Sequence, residues 1–167
     1  MKPDNVEITL DPIDRSNYRK LFNMQLRNEQ ITFVTPPRWT LARCYVRQFG
    51  DNFEHLPHLI RVGDEVVGYA TIACDPGSAD DYWIDDIMIA AKEQGKGYGR
   101  AAMVEVLKMI VARYRRCEAV QLTCFRSNTN AAALYVSLGF RPTGGVDEEF
   151  GEPNYKLQGE ALAKFRK

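Results

Sequence analysis

The chain has 167 residues, 45% of them hydrophobic, with 22 Lys and Arg set against 22 Asp and Glu. Balanced charge gives a nucleic-acid partner no global electrostatic support, and no run is apolar and long enough to span a bilayer, so neither nucleic acid nor a membrane is expected as a partner. The length fits a single domain without linker or internal repeat, and the start, Met1-Lys2-Pro3-Asp4, lacks an apolar signal region, so a cytoplasmic protein is expected.

Residues 6–11 read as a first strand. Residues 16–26 carry Tyr18, Leu21, Phe22 and Leu26 at helical spacing, and a second helix opens at Pro36-Pro37, its stripe running Trp39, Leu41, Tyr45, Val46 and Phe49 until Gly50 ends it. Residues 59–62 and 66–73 flank Gly63-Asp64-Glu65, a hairpin signal, and residues 82–89 supply the next strand. A helix reaching Tyr114 follows, with Met103, Leu107, Ile110, Val111 and Tyr114 spaced as a face packed on a sheet. A strand at 119–124, a helix from Asn128, and strands near 141–143 and 154–157 complete a domain over residues 1–158, and residues 159–167 form a short charged tail. The four cysteines, Cys44, Cys74, Cys117 and Cys124, make no C-x-x-C pair and sit in apolar runs, as buried reduced thiols would. Glu54-His55 and His58 form a stray H-x-x-H that reads as polar surface on a loop, so no metal is expected.

Gln94-Gly95-Lys96-Gly97-Tyr98-Gly99-Arg100 stands between the 82–89 strand and its helix, so a glycine-rich turn opens a helix. Glycines leave phosphate oxygens room against bare backbone, and first-turn N–H groups without intrahelical partners point at the ligand along the positive end of the helix dipole. Lys96 and Arg100 add charge. A Walker loop would need Ser or Thr after Gly95-Lys96, where Gly97 stands. A Rossmann fingerprint would need an acid about twenty positions on, where the next strand ends in Cys124-Phe125-Arg126. Farther along, Asn128-Thr129-Asn130-Ala131-Ala132-Ala133-Leu134-Tyr135-Val136-Ser137-Leu138-Gly139-Phe140 suits a helix capped by Asn128, slim over residues 131–133 and ended by a left-handed Gly139.

Together these segments resemble the GNAT superfamily of N-acetyltransferases. Its pyrophosphate loop, Gln/Arg-x-x-Gly-x-Gly/Ala, is matched by Gln94, Gly97 and Gly99. Its cofactor helix, Asn-x-x-Ala-x-x-x-Tyr closing in Gly-Phe, is matched by Asn128, Ala131, Tyr135, Gly139 and Phe140. The resemblance implies an α/β (α+β) fold, a single mixed, mostly antiparallel, splayed sheet of six to seven strands flanked by about four helices, and acetyl-CoA as cosubstrate. It implies cofactor contacts from Ile87, Met88 and Ile89, from Gln94, Gly95, Lys96, Gly97, Tyr98, Gly99 and Arg100, and from Asn128, Asn130, Ala131 and Tyr135. It makes Tyr135 the general acid, and it leaves room for a homodimer, a state common in the superfamily.

Amine acetylation makes its own demands. A primary alkylamine resembles lysine, so at pH 7 only about one molecule in a few thousand is neutral, a shortfall of roughly 4–5 kcal/mol that a proton acceptor must cover. Attack on the thioester creates an oxyanion for backbone N–H groups to stabilise and expels a thiolate that a phenol can protonate. Trp83-Ile84-Asp85-Asp86-Ile87-Met88-Ile89 sets two adjacent carboxylates in an apolar strand, where period two sends them to opposite faces and burial without partners is costly.

This strand and loop further resemble the diamine and polyamine (spermidine/spermine) acetyltransferases. In those enzymes the first acid of the strand relays the amine proton through water and its neighbour helps bind substrate, roles that fall on Asp85 and Asp86. Asn28-Glu29-Gln30-Ile31-Thr32-Phe33 resembles a substrate-lining loop of bacterial relatives, with Asn28, Gln30 and Phe33 as acceptor contacts, and residues 144–155 extend the similarity. Ile87-Met88 in place of a Phe-Phe pair, and Ala90-Ala91-Lys92 in place of an acidic or proline turn, depart from the pattern. The acids Asp75, Asp80, Asp81, Asp85 and Asp86, with Asp147, Glu148, Glu149 and Glu152, stand apart from the basic stretch 92–116, which suits a polycation and CoA at opposite ends and equally suits solvated turns and a basic helix C-terminus. The expected function is acetyl-CoA-dependent acetylation of a primary amine such as spermidine or spermine. The alternatives are an aminoglycoside, amino-acid or protein N-terminal acceptor, or a non-catalytic acyl-CoA-binding regulatory module.

Overall fold

The computed structural model describes residues 6–47, 52–148 and 150–166; Phe49, Gly50, Glu149 and the Met1-Lys2-Pro3-Asp4 start lie outside the described residues. One sheet holds β1 (Thr9–Pro12), β2 (Glu54–Val62), β3 (Glu65–Cys74), β4 (Tyr82–Ile89), β5 (Ala119–Thr123), β6 (Arg141–Val146) and β7 (Pro153–Gln158), in spatial order β1-β2-β3-β4-β5-β7-β6. Neighbours pair antiparallel except β4 and β5, which run parallel and share a single register pair, Trp83 with Gln121. Beyond it the two strands part. That splay opens the space in which the site is built.

Strand alternation sends side chains into two apolar layers. On one face Ile60, Ala70, Ile72 and Ile84 pack against Met103, Val106, Leu107 and Ile110 of α3 (Tyr98–Arg113), joined by Tyr135 and Leu138 of α4 (Thr129–Leu138). On the other, Leu59, Tyr69 and Met88 meet Leu21 of α1 (Arg19–Phe22), with Leu41 of α2 (Pro37–Arg47) beside them. Each large aliphatic so buried contributes about 1.5–3 kcal/mol, enough to fix where the strand ends point.

Several elements differ from their sequence expectation. α1 spans four residues rather than 16–26: Leu21 is its one fully buried side chain, with Met24 and Leu26 packed against the same cluster, Tyr18 and Phe22 meet edge-on, and Ala91 N–H donates to Gln25 O at 2.7 Å just beyond the helix. Most of the predicted apolar stripe of α2 faces outward, Trp39, Tyr45 and Val46 being 60, 65 and 66% exposed, whereas Leu41 packs inward and Thr40 and Cys44 are buried. β1 starts three residues later than the expected 6–11, at Thr9. β2 starts at Glu54 because its ladder to β3 continues through polar residues as far as the Glu54–Cys74 pair. The H-x-x-H therefore lies on a strand, not a loop, and His58 is buried beside Leu56 O, its pKa pushed down by that burial. After Gln158, α5 (Glu160–Ala163) sinks Leu162 into the α3 layer, so the charged segment is packed onto the fold. Cys44, Cys74, Cys117 and Cys124 are free and buried. Among the described residues no group of three or more His, Cys, Asp or Glu could hold a metal, and no helix is long and apolar enough to cross a membrane.

Candidate active site

A cavity of about 830 Å³ lies at the splay, in the usual size range of small-molecule sites. Its floor at one end is the N-terminus of α3. Gly97 caps that helix at φ +83°, a conformation costly for other residues, and Ala101 N–H makes the first helical bond to Gly97 O at 3.2 Å. The amides of Tyr98, Gly99 and Arg100 precede that bond and remain available to an anion. A Cβ at Gly99 would sit 3.8 Å from Ile89 and 4.0 Å from Leu134, so the glycine leaves a slot between β4 and α4. α4 starts as its sequence suggested: Asn128 Oδ1 accepts from Ala131 N–H at 3.4 Å, and Gly139 ends the helix at φ +108°.

Ile87, Met88, Ile89, Gln94, Gly95, Gly97, Tyr98 and Gly99 line the cavity, as do Asn128, Asn130, Ala131 and Tyr135. Lys96 and Arg100 do not; Lys96 Nζ donates to Glu93 Oε2 at 2.8 Å and Arg100 Nη1 to Ser137 Oγ at 2.7 Å, which holds both cations beside the cradle rather than in it. Gln30 and Phe33 line the cavity as well, and Asn28 does not. Tyr135 is 9% exposed, and burial first, then Cys124 and Glu152 nearby, push its phenol above the ordinary value. The phenol is held in its neutral form.

The carboxylate pair differs from expectation. In the β3–β4 ladder Thr71 faces Asp86 and Ile72 faces Ile84, so Asp85 is the extra residue of a β-bulge. The phase break turns both carboxylates toward α2 instead of to opposite faces: Arg43 Nη2 lies 2.6 Å from Asp86 Oδ2 and 4.0 Å from Asp85 Oδ2, and Arg47 Nη1 lies 3.6 Å from Asp85 Oδ2. Thr40 also donates to Asp86, at 3.2 Å. The α2 face that carries Thr40 and Arg43 is the one that meets these acids, and Trp39 and Tyr45 lie on the outward side. Burial outweighs the guanidinium and raises Asp86, 7% exposed, to about 7.

Several residues of the site escaped the sequence reading. Arg43 and Arg47, which line the cavity, and Thr40, which bonds Asp86 from behind it, recur at three and four residues, a polar helical stripe that could have been matched to the two acids of β4. Arg27 and Phe150 carry no such signal. Glu152 stood in the sequence only as one acid of a cluster; it lines the cavity from the β6–β7 turn, where Asp147 Oδ1 accepts its N–H at 2.7 Å. Its carboxyl is raised by burial, partly offset by a hydrogen bond with the Thr123 side chain, and Asp147 adds to the rise.

Comparisons with known proteins agree with this geometry. The acetyltransferase (GNAT) family matches residues 18–140. A spermine/spermidine N(1)-acetyltransferase of Bacillus subtilis (strain 168) is 24% identical over 151 residues, covering 85% of this chain and 93% of the relative. Among solved structures, the spermidine N-acetyltransferase of Vibrio cholerae in complex with CoA and spermine superposes with a TM-score of 0.71 at 18% identity, covering 95% of this chain and 99% of the other. An aminoglycoside acetyltransferase in complex with coenzyme A gives a TM-score of 0.74 at 18% identity, covering 96% and 100%. At such identities the superpositions carry the fold, and they do not choose between acceptors.

Proposed function

This chain belongs to the GNAT family of acetyltransferases, and we propose that its cavity moves acetyl from acetyl-CoA onto a primary amine of a polyamine such as spermidine or spermine. The observation that carries this reading is the cavity itself, which joins a glycine cradle, a protonated buried tyrosine and four carboxylates in one space. Acetyl-CoA supplies an activated acyl thioester; the free amides at Tyr98, Gly99 and Arg100 and the slot at Gly99 suit its pyrophosphate, and the slim face at Ala131 suits its arm. Tyr135 donates its proton to the departing sulfur.

The polyamine assignment draws support from the curated Bacillus relative and from the acids of the cavity wall. Asp85 and Asp86, expected to relay the proton and to hold the substrate, already share Arg43 and Arg47, so an ammonium would compete with two guanidiniums there. Asp147 receives the Glu152 and Phe150 amides. Glu152 reaches the cavity from the β6–β7 turn with its carboxyl raised mainly by burial, and it is the acid we set against the acceptor's charge. A cytoplasmic setting, supported by four free buried thiols, and a homodimer, supported by the exposed Trp39, Tyr45 and Val46 of α2, complete the proposal.

CoA release measured over spermidine, spermine, a monoamine, an aminoglycoside and an amino acid tests it. Release fastest with polyamines supports the reading. Release only with an aminoglycoside or amino acid would move the acceptor, and no amine-dependent release would leave an acyl-CoA-binding module.

A further inference from the structure

The wall over the acceptor end is the connection between α1 and α2, and it hangs from the cofactor loop. Ala91 N–H donates to Gln25 O at 2.7 Å, and Gln94 Nε2 donates both to Ile89 O at 2.9 Å and to Gln30 Oε1 at 2.8 Å. A backbone carbonyl only accepts, so the Gln94 atom on Ile89 must be its amide nitrogen, and Gln30 must present its oxygen. At the far side the Phe33 ring meets Phe125, just past β5, with centroids 6.0 Å apart. The strap from Gln25 to Phe33 thus starts at the end of β4 and closes at the end of β5, across the splay. Leu26, Arg27, Gln30 and Phe33 of this strap line the cavity, and so do Gly95, Gly97 and Gly99 of the loop that Gln94 begins.

We propose that the Gln30–Gln94 hydrogen bond is a positioning contact that couples the two substrates. A ligand filling the cradle fixes the backbone from Gln94 onward. Gln94, anchored on Ile89 O, then fixes the strap, and the acceptor meets a wall already in place. The inference rests on the acetyltransferase reading of the cavity, in which one ligand occupies the glycine loop and another the strap side. Coupling through one neutral, partly buried hydrogen bond corresponds to about a fivefold effect, and by linkage each ligand must tighten the other by the same factor.

Two readouts test it, the first needing no acceptor. Amide hydrogen exchange of residues 25–33 should slow when CoA is added to the parent protein, and Gln30→Met, which keeps length and apolar stem but loses the acceptor oxygen, should lose most of that slowing while binding CoA within about twofold of the parent. Gln30→Glu still offers an oxygen to Gln94 and should restore it. In the second, calorimetry of spermidine with and without saturating CoA should give affinities differing about fivefold in the parent and in Gln30→Glu, and nearly equal in Gln30→Met. Undiminished CoA-induced protection in Gln30→Met, or none in the parent, would overturn the coupling. An amine panel without turnover would instead sink the acetyltransferase reading while the exchange experiment still judged the strap.

Discussion

Tyr135 is chemically legible because its surroundings are one-sided. Burial first, then Cys124 and the acid Glu152, favour the neutral phenol, which in the proposed reaction would keep its proton for the departing thiolate. Tyr135→Phe should keep CoA affinity, since the ring still packs against Phe140 at 6.0 Å, and should lower kcat by roughly ten- to a thousandfold. Calorimetry beside steady-state kinetics separates the two, and full turnover would reduce the tyrosine to packing. Asp86 shows the opposite balance, a carboxyl raised from 3.8 to about 7 by burial despite Arg43 at 2.6 Å. With the folded value above the unfolded one, its contribution to stability is fully present below about pH 4 and is lost as pH rises through 7. Urea unfolding of parent and Asp86→Asn should therefore diverge over that window, the parent losing roughly 2–4 kcal/mol relative to the variant. A difference independent of pH would mean that Asp86 stays charged throughout.

At the scale of elements, the α3 N-terminus and the bulge in β4 do the positioning. Gly99 sits in ordinary contact range of Ile89 and Leu134, so a larger side chain there enters the slot rather than breaking the core. Gly99→Leu should fold, its stability changed by no more than about 1 kcal/mol of helix propensity, yet weaken acetyl-CoA binding by tenfold or more in calorimetry. Unaltered affinity in the folded variant would move the pyrophosphate elsewhere. The bulge at Asp85 could not be read from the chain, because an alternating pattern carries no mark of one residue skipped by its partner strand. The face of α2 was misjudged for a related reason. Its apolar residues outnumber its polar ones, but ion pairs to β4 from Arg43 and Arg47 orient it.

The whole molecule carries no net charge, so any attraction for a polycation is local to the cavity mouth. The partly exposed acids of the cavity, Asp85, Asp147 and Glu152, act through solvent over a Debye length of about 8–10 Å at physiological ionic strength. Raising salt from about 0.05 to 0.5 M should therefore increase the KM for spermine severalfold and change that for a monoamine much less. Equal shifts for both amines would place the distal charge outside the acidic rim. Packing of α5 through Leu162 belongs to this scale as well, since a short charged segment is tied down only by what it meets across the α3 layer.

From residue order alone came the cradle, the capped Asn128 helix and the succession of strands and helices, because glycine conformation, capping and apolar periodicity are local properties that the chain writes within a few residues, whereas Tyr135 was singled out by the family resemblance. Tertiary structure decided the rest: that Asp85 and Asp86 share arginines, that Lys96 and Arg100 stand aside, that Glu152 comes to the cavity from the β6–β7 turn, and that Gln30 bonds Gln94. Each of these joins residues far apart in the chain or depends on register across strands. Charge pairing and hydrogen bonding at 3–4 Å act on distance in space, and separation along the sequence does not encode it.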